Sequence, residues 1–271
     1  MILPSANPDS QNLALLLGLT AAIAYILPAF LAQRRGATAA RWAALIAWSL
    51  HALALAWSLL GEVPRFGFAP ALSMTAWLVA LLYGIESRLI PQLRTHWALS
   101  ALGAGAVLLA LFFPGNALHP GASLWLPLHW AFGIASYGLF AVAVAHGWFM
   151  TRVEGGIRLA QDSDSGVPLM TLERLTFRFV AAGFVLLTAT IAVALLFSQQ
   201  LYGGVLPRRV DHKTVFSILS WLTFAVLLLG RSRFGWRGRV AIRMLYAGTG
   251  LLLLAYVGSR FVLEVVLGRT S

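Results

Sequence analysis

The sequence predicts an all-α, polytopic membrane protein, a helix bundle with about eight membrane-spanning helices. Of its 271 residues, 59% are hydrophobic and 11% are charged, whereas a soluble domain carries about 25% charged residues. A soluble chain this apolar would expose large apolar patches to water, and a lipid bilayer removes that cost. The apolar residues occur in runs close to the roughly 20 residues that a helix needs to cross a bilayer. We therefore expect a single integral membrane domain over residues 1–271.

The predicted spans are eight apolar runs joined by short connections. They cover residues 13–31, 42–60, 69–85, 97–113, 124–150, 179–197, 215–230 and 240–266, of which the third and the seventh are short. Helices are favoured over strands because Ala and Leu dominate the runs and the period-two alternation of a membrane barrel is missing. The longest predicted cytoplasmic loop, residues 151–177, is polar in its middle and is interpreted as a linker.

Basic residues sort the connections into two sets. Fourteen of the twenty Lys and Arg residues lie between spans one and two, three and four, five and six, or seven and eight, with Arg243 just inside the eighth span. The positive-inside rule places these connections in the cytoplasm, so both termini are predicted to lie on the outer side. The net charge of +11 follows from this loop pattern. It does not indicate nucleic-acid binding, since the charges do not form one basic face.

Composition excludes several classes of chemistry. The chain has no cysteine, which rules out disulfides, thiolate metal sites and covalent haem attachment through its own Cys pair. Neither a phosphate-binding glycine loop nor a nucleophile elbow is present in the sequence. We therefore predict no catalytic residues.

Histidines supply the candidate site, because an ionisable side chain at membrane depth is costly and marks a functional position by default. His51 lies near the middle of the second span and His129 near the outer end of the fifth. A neutral imidazole is a good axial ligand for haem iron, and arginine binds carboxylates such as the haem propionates. The same histidines can equally hydrogen-bond across helices or relay protons. The outer segment beside the seventh span combines both residue types: Arg208, Arg209, His212 and Lys213.

Other polar residues are interpreted as structural. His96 and His146 fall at predicted cytoplasmic helix ends and are taken as interfacial. Glu86 and Glu173 also lie near cytoplasmic ends. In the last span, Arg260 and Glu264 are four residues apart and are expected to pair across one helical turn.

Two stretches resemble the cytochrome c assembly protein family of membrane haem handlers. Residues 128–140, LHWAFGIASYGLF, are similar to the LHxxxxxxSYxxF opening of one helix in that family. Residues 211–214, DHKT, followed by SWL at 220–222 and GWRGR at 235–239, resemble its DPKE segment, helix tryptophan and GWxGR loop. The best match covers residues 124–266. The size and the number of spans resemble the small, YpjD-type inner-membrane branch.

The resemblance implies a multi-pass protein of the bacterial inner membrane that binds or handles haem b in cytochrome c assembly. Its implied partners are membrane lipid, haem and cytochrome c maturation components. Carried over residue by residue, it implies His129 and His212 as ligands of haem iron and His51, with less direct correspondence, as a further haem-binding residue. The resemblance also implies that four charged residues contact the haem: Arg208, Arg209, Asp211 and Lys213.

The chain departs from the family pattern in its outer segment. Residues 201–210 contain no tryptophan, whereas family members that deliver haem carry a tryptophan-rich platform there. His212 also stands in place of the proline of DPKE. This departure argues against direct haem-ligase activity, so an enzyme is not predicted.

Two other functions are compatible with the sequence. A small-solute or ion transporter, or an accessory subunit of one, would use helices broken at mid-membrane. Pro28 in the first span is the only mid-run break and has no paired counterpart. A scaffold without a cofactor would use the small residues Gly133, Ala135 and Gly138, which permit close helix packing.

Overall fold

A computed structural model of the protein describes residues 7–34, 36–61, 63–89, 96–117, 125–158, 169–198, 212–262 and 265. These residues are almost entirely helical, which confirms the all-α fold class. The helices are α1 (Pro8–Ala24), α2 (Ile26–Arg34), α3 (Ala37–Leu60), α4 (Phe68–Leu89), α5 (His96–Phe112), α6 (Trp125–Arg158), α7 (Leu169–Leu196), α8 (His212–Phe234), α9 (Gly238–Leu253) and α10 (Ser259–Phe261). A π-helical turn, Leu254–Gly258, joins the last two. Strands β1 (Arg65–Phe66) and β2 (Asn116–Ala117) pair antiparallel.

Seven segments of the described chain are long and apolar enough to cross a membrane. The first, Pro8–Pro28, combines α1 with the start of α2, and the last, Gly238–Phe261, combines α9 with the π turn and α10. The remaining predicted span, the fourth (97–113), corresponds to α5, whose 17 residues are at the lower limit for crossing a bilayer. The outer location of both termini stays a prediction.

Several helices extend beyond their apolar runs. Helices α4 and α8 have 22 and 23 residues, so the third and seventh spans are not short. The predicted loop at 151–177 is wrong at both ends, because α6 continues to Arg158 and α7 begins at Leu169. A span predicted from hydropathy ends at the first charged residues. A helix continues while its backbone hydrogen bonds form, and charged side chains near its end reach the headgroup region.

The first span is interrupted at Tyr25, between α1 and α2. Pro28 lies three residues further on. Proline has no N–H to donate to the carbonyl of Ala24, and its ring clashes with that carbonyl. The break that the sequence indicated at Pro28 therefore appears one turn upstream.

The chain divides into two compact units. Unit 1 comprises Met1–Gly84, Arg94–Pro120 and Arg260–Ser271. In this unit α1 and α2 pack on α3 and α5. Small side chains allow that close approach, as the buried cluster shows: Ala21, Ala22, Ala24, Tyr25, Ala47 and Val107. Between α3 and α4, Trp48 and Trp77 stack with ring centroids 4.6 Å apart, and each indole N–H donates to the carbonyl of the other residue.

Unit 2 comprises Ile85–Leu93 and Gly121–Ser259. Helix α6 packs along α7, and α9 packs on both α6 and α8. At the centre, Phe140 of α6 stacks on Phe224 of α8 with ring centroids 3.9 Å apart and planes within 2°. Both side chains are fully buried. Gly183 of α7 makes room for this stack, because a Cβ there would lie 2.9–3.1 Å from the Phe140 ring. The single domain predicted from sequence stays a prediction.

Gly183→Ala should destabilise the protein by about 1–3 kcal/mol, because the added methyl forces Phe140 out of its stack. Thermal unfolding in detergent measures this change. The control is Gly250→Ala in α9, where an added Cβ meets no atom within 4 Å; alanine there should be neutral or stabilising, since it favours helix over glycine. Equal unfolding temperatures for the two variants would contradict the packing described for Phe140.

Candidate functional site

His51 is completely buried in unit 1 and uses both ring nitrogens. Nδ1 is hydrogen-bonded to the Tyr25 hydroxyl at 3.0 Å, and Nε2 to the Ser73 hydroxyl at 2.8 Å. These three residues belong to three different spans, so the array connects α3 to the α1–α2 junction and to α4. A metal ligand needs a nitrogen lone pair directed at the metal, and each nitrogen of His51 already has a partner. The predicted haem contact of His51 stays a prediction.

His129 lies in the second turn of α6, in unit 2, and is half-buried. Its Nδ1 lies 3.1 Å from the carbonyl oxygen of Thr190 in α7. A carbonyl oxygen only accepts, so a neutral His129 carries its hydrogen on Nδ1 and keeps the lone pair on Nε2. Metal-binding histidines are typically oriented in this way, by a bond from the other ring nitrogen to a carbonyl or carboxylate. In this tautomer Nε2 is the nitrogen of His129 that can accept a hydrogen bond or bind a metal.

An aromatic pair lies on the same seam between α6 and α7. Trp125 precedes His129 by four residues and stacks on Phe197, with ring centroids 3.6 Å apart and planes within 10°. Phe197 follows Thr190 by seven residues, so both spacings keep the side chains on one helix face. The Trp125 side chain is 37% exposed. Trp125 was not predicted as a site residue, although the four-residue spacing that places it on the same helix face as His129 is visible in the sequence.

His212 and Lys213 begin α8, where His212 is exposed and Lys213 is half-buried. Trp125 contacts Phe197, and His129, four residues later, contacts Thr190. Helices α6 and α7 are therefore antiparallel. Trp221 of α8 donates to Thr188 of α7, and Arg231, further along α8, donates to Glu173. Helix α8 is therefore antiparallel to α7 and runs in the same direction as α6.

The Phe140–Phe224 stack fixes the relative depth of His129 and the start of α8. His129 and Lys213 each lie eleven residues before their partner in the stack. Eleven residues make three helical turns, or about 16 Å, and return to nearly the same face. The structure thus brings His129 and the start of α8 to one level of unit 2. Of the other predicted contacts, Arg208, Arg209 and Asp211 lie outside the described residues.

His146 is not an interfacial residue as predicted, because it is buried in unit 2 against Glu86. Its Nε2 lies 3.1 Å from a carboxylate oxygen of Glu86, and both side chains are less than one-tenth exposed. The second Glu86 oxygen and His146 Nδ1 have no hydrogen-bond partner among the described residues. Within those residues, no three His, Asp or Glu side chains are grouped as a metal site.

The fold and these buried histidines define a multi-pass helical membrane protein with polar residues held inside two helical units. A family model described as Cytochrome C assembly protein matches residues 12–267. The chain therefore belongs to the cytochrome c assembly protein family. This confirms the resemblance inferred from the sequence motifs and extends it to the first half of the chain.

Three relatives illustrate the match. An uncharacterized 28.8 kDa protein in the nifR3-like 5′ region of Azospirillum brasilense is 31% identical over 252 residues, covering 86% of this chain and 88% of the relative. The inner membrane protein YpjD of Escherichia coli K12 is 28% identical over 260 residues, covering 93% and 97%. A cytochrome c biogenesis protein CcsA of Synechococcus is 26% identical over 240 residues, covering 76% and 77%. No solved structure matches the chain.

The similarity to YpjD and the seven long apolar helices confirm the predicted location, a multi-pass protein of the inner membrane. The matched length also agrees with the small branch of the family, since the chain covers nearly all of YpjD.

Removing one member of the Glu86–His146 pair should destabilise unit 2 by about 3–5 kcal/mol, because the other polar group stays buried without its partner. His146→Phe and Glu86→Leu should each lower the thermal unfolding temperature in detergent. The double variant should recover much of that loss, because no polar group is then left buried. Additive losses in the double variant would show that the two side chains are not coupled.

Proposed function

We propose that the protein binds haem at the outer end of unit 2 and handles it for cytochrome c assembly. Family membership and the similarity to CcsA cytochrome c biogenesis proteins support this role. The structural observation that carries it is His129, whose Nδ1 bond to the Thr190 carbonyl leaves Nε2 with the lone pair. Haem b is the form that needs no covalent attachment, which suits a chain without cysteine.

The residues near His129 fit a flat, amphipathic ligand with two carboxylates. Nε2 of His129 would bind the iron. The Trp125–Phe197 stack offers an aromatic surface beside it. Lys213 lies at the same level of unit 2, where a cation would neutralise a propionate. In the proposal His212 would be a second residue that binds the iron, and Arg208 and Arg209 would contact the propionates, as the resemblance implies.

His51 fits haem ligation poorly. It is fully buried and both nitrogens are bonded to hydroxyls, so iron binding would require breaking one of these bonds inside unit 1. In this proposal His51 holds three spans together. Loss of its hydrogen bonds would then reduce the stability of unit 1 first, and haem binding only as a consequence.

We also propose that the chain binds haem without joining it to apocytochrome. The outer segment that holds a tryptophan platform in haem-delivering members contains no tryptophan here. In this proposal the protein is a haem-binding partner of maturation components, which carry out the covalent step.

The purified protein should give a visible haem spectrum of the bis-histidine type, oxidised and reduced, once haem is added in detergent. His129→Ala together with His212→Ala should abolish that spectrum, because both nitrogens that would bind the iron are lost. Binding should also weaken as the pH falls, since a protonated imidazole cannot ligate iron. A useful control is His96→Ala at the start of α5. A featureless spectrum that haem does not change, or one that survives the double variant, would overturn the proposed site.

The aromatic stack can be tested without iron. Trp125→Ala should weaken binding of iron-free protoporphyrin IX by about three- to tenfold, the range expected for one lost aromatic contact. His129→Ala should change this affinity far less, because no axial bond forms. Porphyrin fluorescence measures both. Trp148→Ala, at the other end of α6 and 46% exposed, is the matched control, and an equal effect from it would refute a specific role for Trp125.

A further inference from the structure

Trp221 of α8 is attached to α7 at two points. Its indole N–H donates to the Thr188 hydroxyl at 2.9 Å, and its ring stacks on Phe184 with ring centroids 5.4 Å apart and an interplanar angle of 29°. The Thr188 hydroxyl in turn donates to the Phe184 carbonyl at 2.7 Å. These contacts form a closed loop, because the residue that stacks on the indole also accepts the hydrogen bond from Thr188. Trp221 therefore constrains both the rotation and the depth of α8 against α7.

The bond between Trp221 and Thr188 lies at the lipid-facing edge of the seam between α7 and α8. Thr188 is exposed and Trp221 is half-buried, and both belong to spans that cross the membrane. An indole N–H that loses its acceptor in hydrocarbon finds no water to replace it. The surroundings thus favour keeping this bond, and with it one register between the two helices.

The same stretch of α7 also orients His129. Thr190 follows Thr188 by two residues, about 3 Å along the helix, and its carbonyl oxygen lies 3.1 Å from His129 Nδ1. Helix α7 thus holds α6 through Thr190 and α8 through Thr188. The two helices that carry the proposed iron ligands are registered on one short segment of a third helix.

The start of α8 carries the second proposed iron ligand, His212, nine residues before Trp221. A rotation of the helix at Trp221 is carried to that start, about 14 Å away. The Phe140–Phe224 stack lies about one turn further from it, and ring stacking is less directional than an N–H···O bond. Trp221 therefore adds a directional constraint on where the start of α8 lies relative to His129.

We propose that Trp221 is a positioning residue for the haem site, which through Thr188 holds α8 so that His212 and His129 reach the same iron. This inference rests on the proposed function, in which both histidines bind iron. Trp221 lies more than two helical turns from His212 and acts through the helix, without contact to haem. The bond to Thr188 thus gives a role to the tryptophan of the SWL motif at 220–222, which the proposed site leaves unused.

Two conservative changes remove this one bond from opposite sides. Trp221→Phe keeps an aromatic ring for Phe184 and removes the N–H, and Thr188→Val keeps the side-chain shape and removes the hydroxyl. Each should lower haem affinity by about three- to tenfold, the range for one lost hydrogen bond. Each should also convert part of the bis-histidine spectrum into that of a single-histidine complex. The double variant should be no worse than either single change, because both remove the same bond.

Two controls isolate the bond. Thr188→Ser keeps the hydroxyl and should retain the wild-type spectrum. Thr223→Val in α8 removes a hydroxyl that donates to the Leu219 carbonyl of its own helix, so it should also leave the spectrum unchanged.

Two further readouts separate positioning from a general loss of stability. Iron-free protoporphyrin IX should bind Trp221→Phe as tightly as wild type, because the aromatic surface at Trp125 belongs to the α6–α7 seam. Spin labels can report the position of α8 in the haem-free protein, since the chain has no cysteine of its own. Ala131→Cys in α6 and Val215→Cys in α8 are both at exposed positions. The distance distribution between these labels should broaden when Trp221→Phe is added and stay narrow with Thr223→Val.

The outcomes distinguish this inference from the proposed function. A wild-type bis-histidine spectrum that Trp221→Phe and Thr188→Val leave unchanged would overturn the positioning role and leave the proposed function standing. Equal losses of haem and of iron-free porphyrin binding would also overturn it, because they indicate general destabilisation. An unchanged label distance in Trp221→Phe would show that the bond does not position α8. A wild-type protein without a haem spectrum would overturn the proposed function and this inference together.

Discussion

Inside a bilayer there is no water to satisfy a polar group, and this constraint determines how the spans of this protein meet. The backbone satisfies itself within helices. A polar side chain must instead bond to its own helix or to a neighbouring one. Thr176 and Thr190 take the first route, each donating to the carbonyl four residues before it. Ser220 takes the second and donates to the Gly248 carbonyl of α9 at 2.8 Å. Each bond of the second kind fixes one helix against another.

The histidines follow the same rule, and the rule separates their roles. His51 is surrounded by hydroxyls on both sides, His146 meets a carboxylate, and His129 meets a carbonyl. A carbonyl has no hydrogen to give, so it fixes which nitrogen of His129 is protonated. A hydroxyl can donate or accept, so Tyr25 and Ser73 can satisfy His51 in either tautomer. A carboxylate also only accepts, so neutral His146 keeps its lone pair on Nδ1, deep inside unit 2. The His129 arrangement instead leaves the lone pair on Nε2 of a half-buried side chain near the start of α6.

Hydropathy alone predicted the helical class and the approximate number of spans, because apolar length is a local property. It failed at helix ends such as Arg158 and Leu169, where charged residues continue the helix at the headgroup level. The ion pairs could not be predicted, since Glu86 and His146 are 60 residues apart in sequence and Glu173 and Arg237 are 64 apart. Those pairings depend on which helix faces meet. His129 could be predicted as a candidate from its motif. Its tautomer could not, because the Thr190 carbonyl sets it and nothing in the sequence marks Thr190 as its partner.

The aromatic surface beside His129 bears on how haem would be held. A platform in an outer loop must be ordered before it can bind a flat ligand, whereas Trp125 and Phe197 are positioned by the helices that carry them. The α6–α7 seam also positions His129, so in the proposal the iron ligand and the aromatic surface would share one rigid support. Pre-organisation of this kind lowers the ordering cost of binding. It also keeps the bound molecule against the helices rather than on a presenting loop. A site built this way would suit storage or transfer of haem within the membrane better than its presentation to an apocytochrome, in agreement with the proposal that this chain handles haem without joining it covalently to apocytochrome.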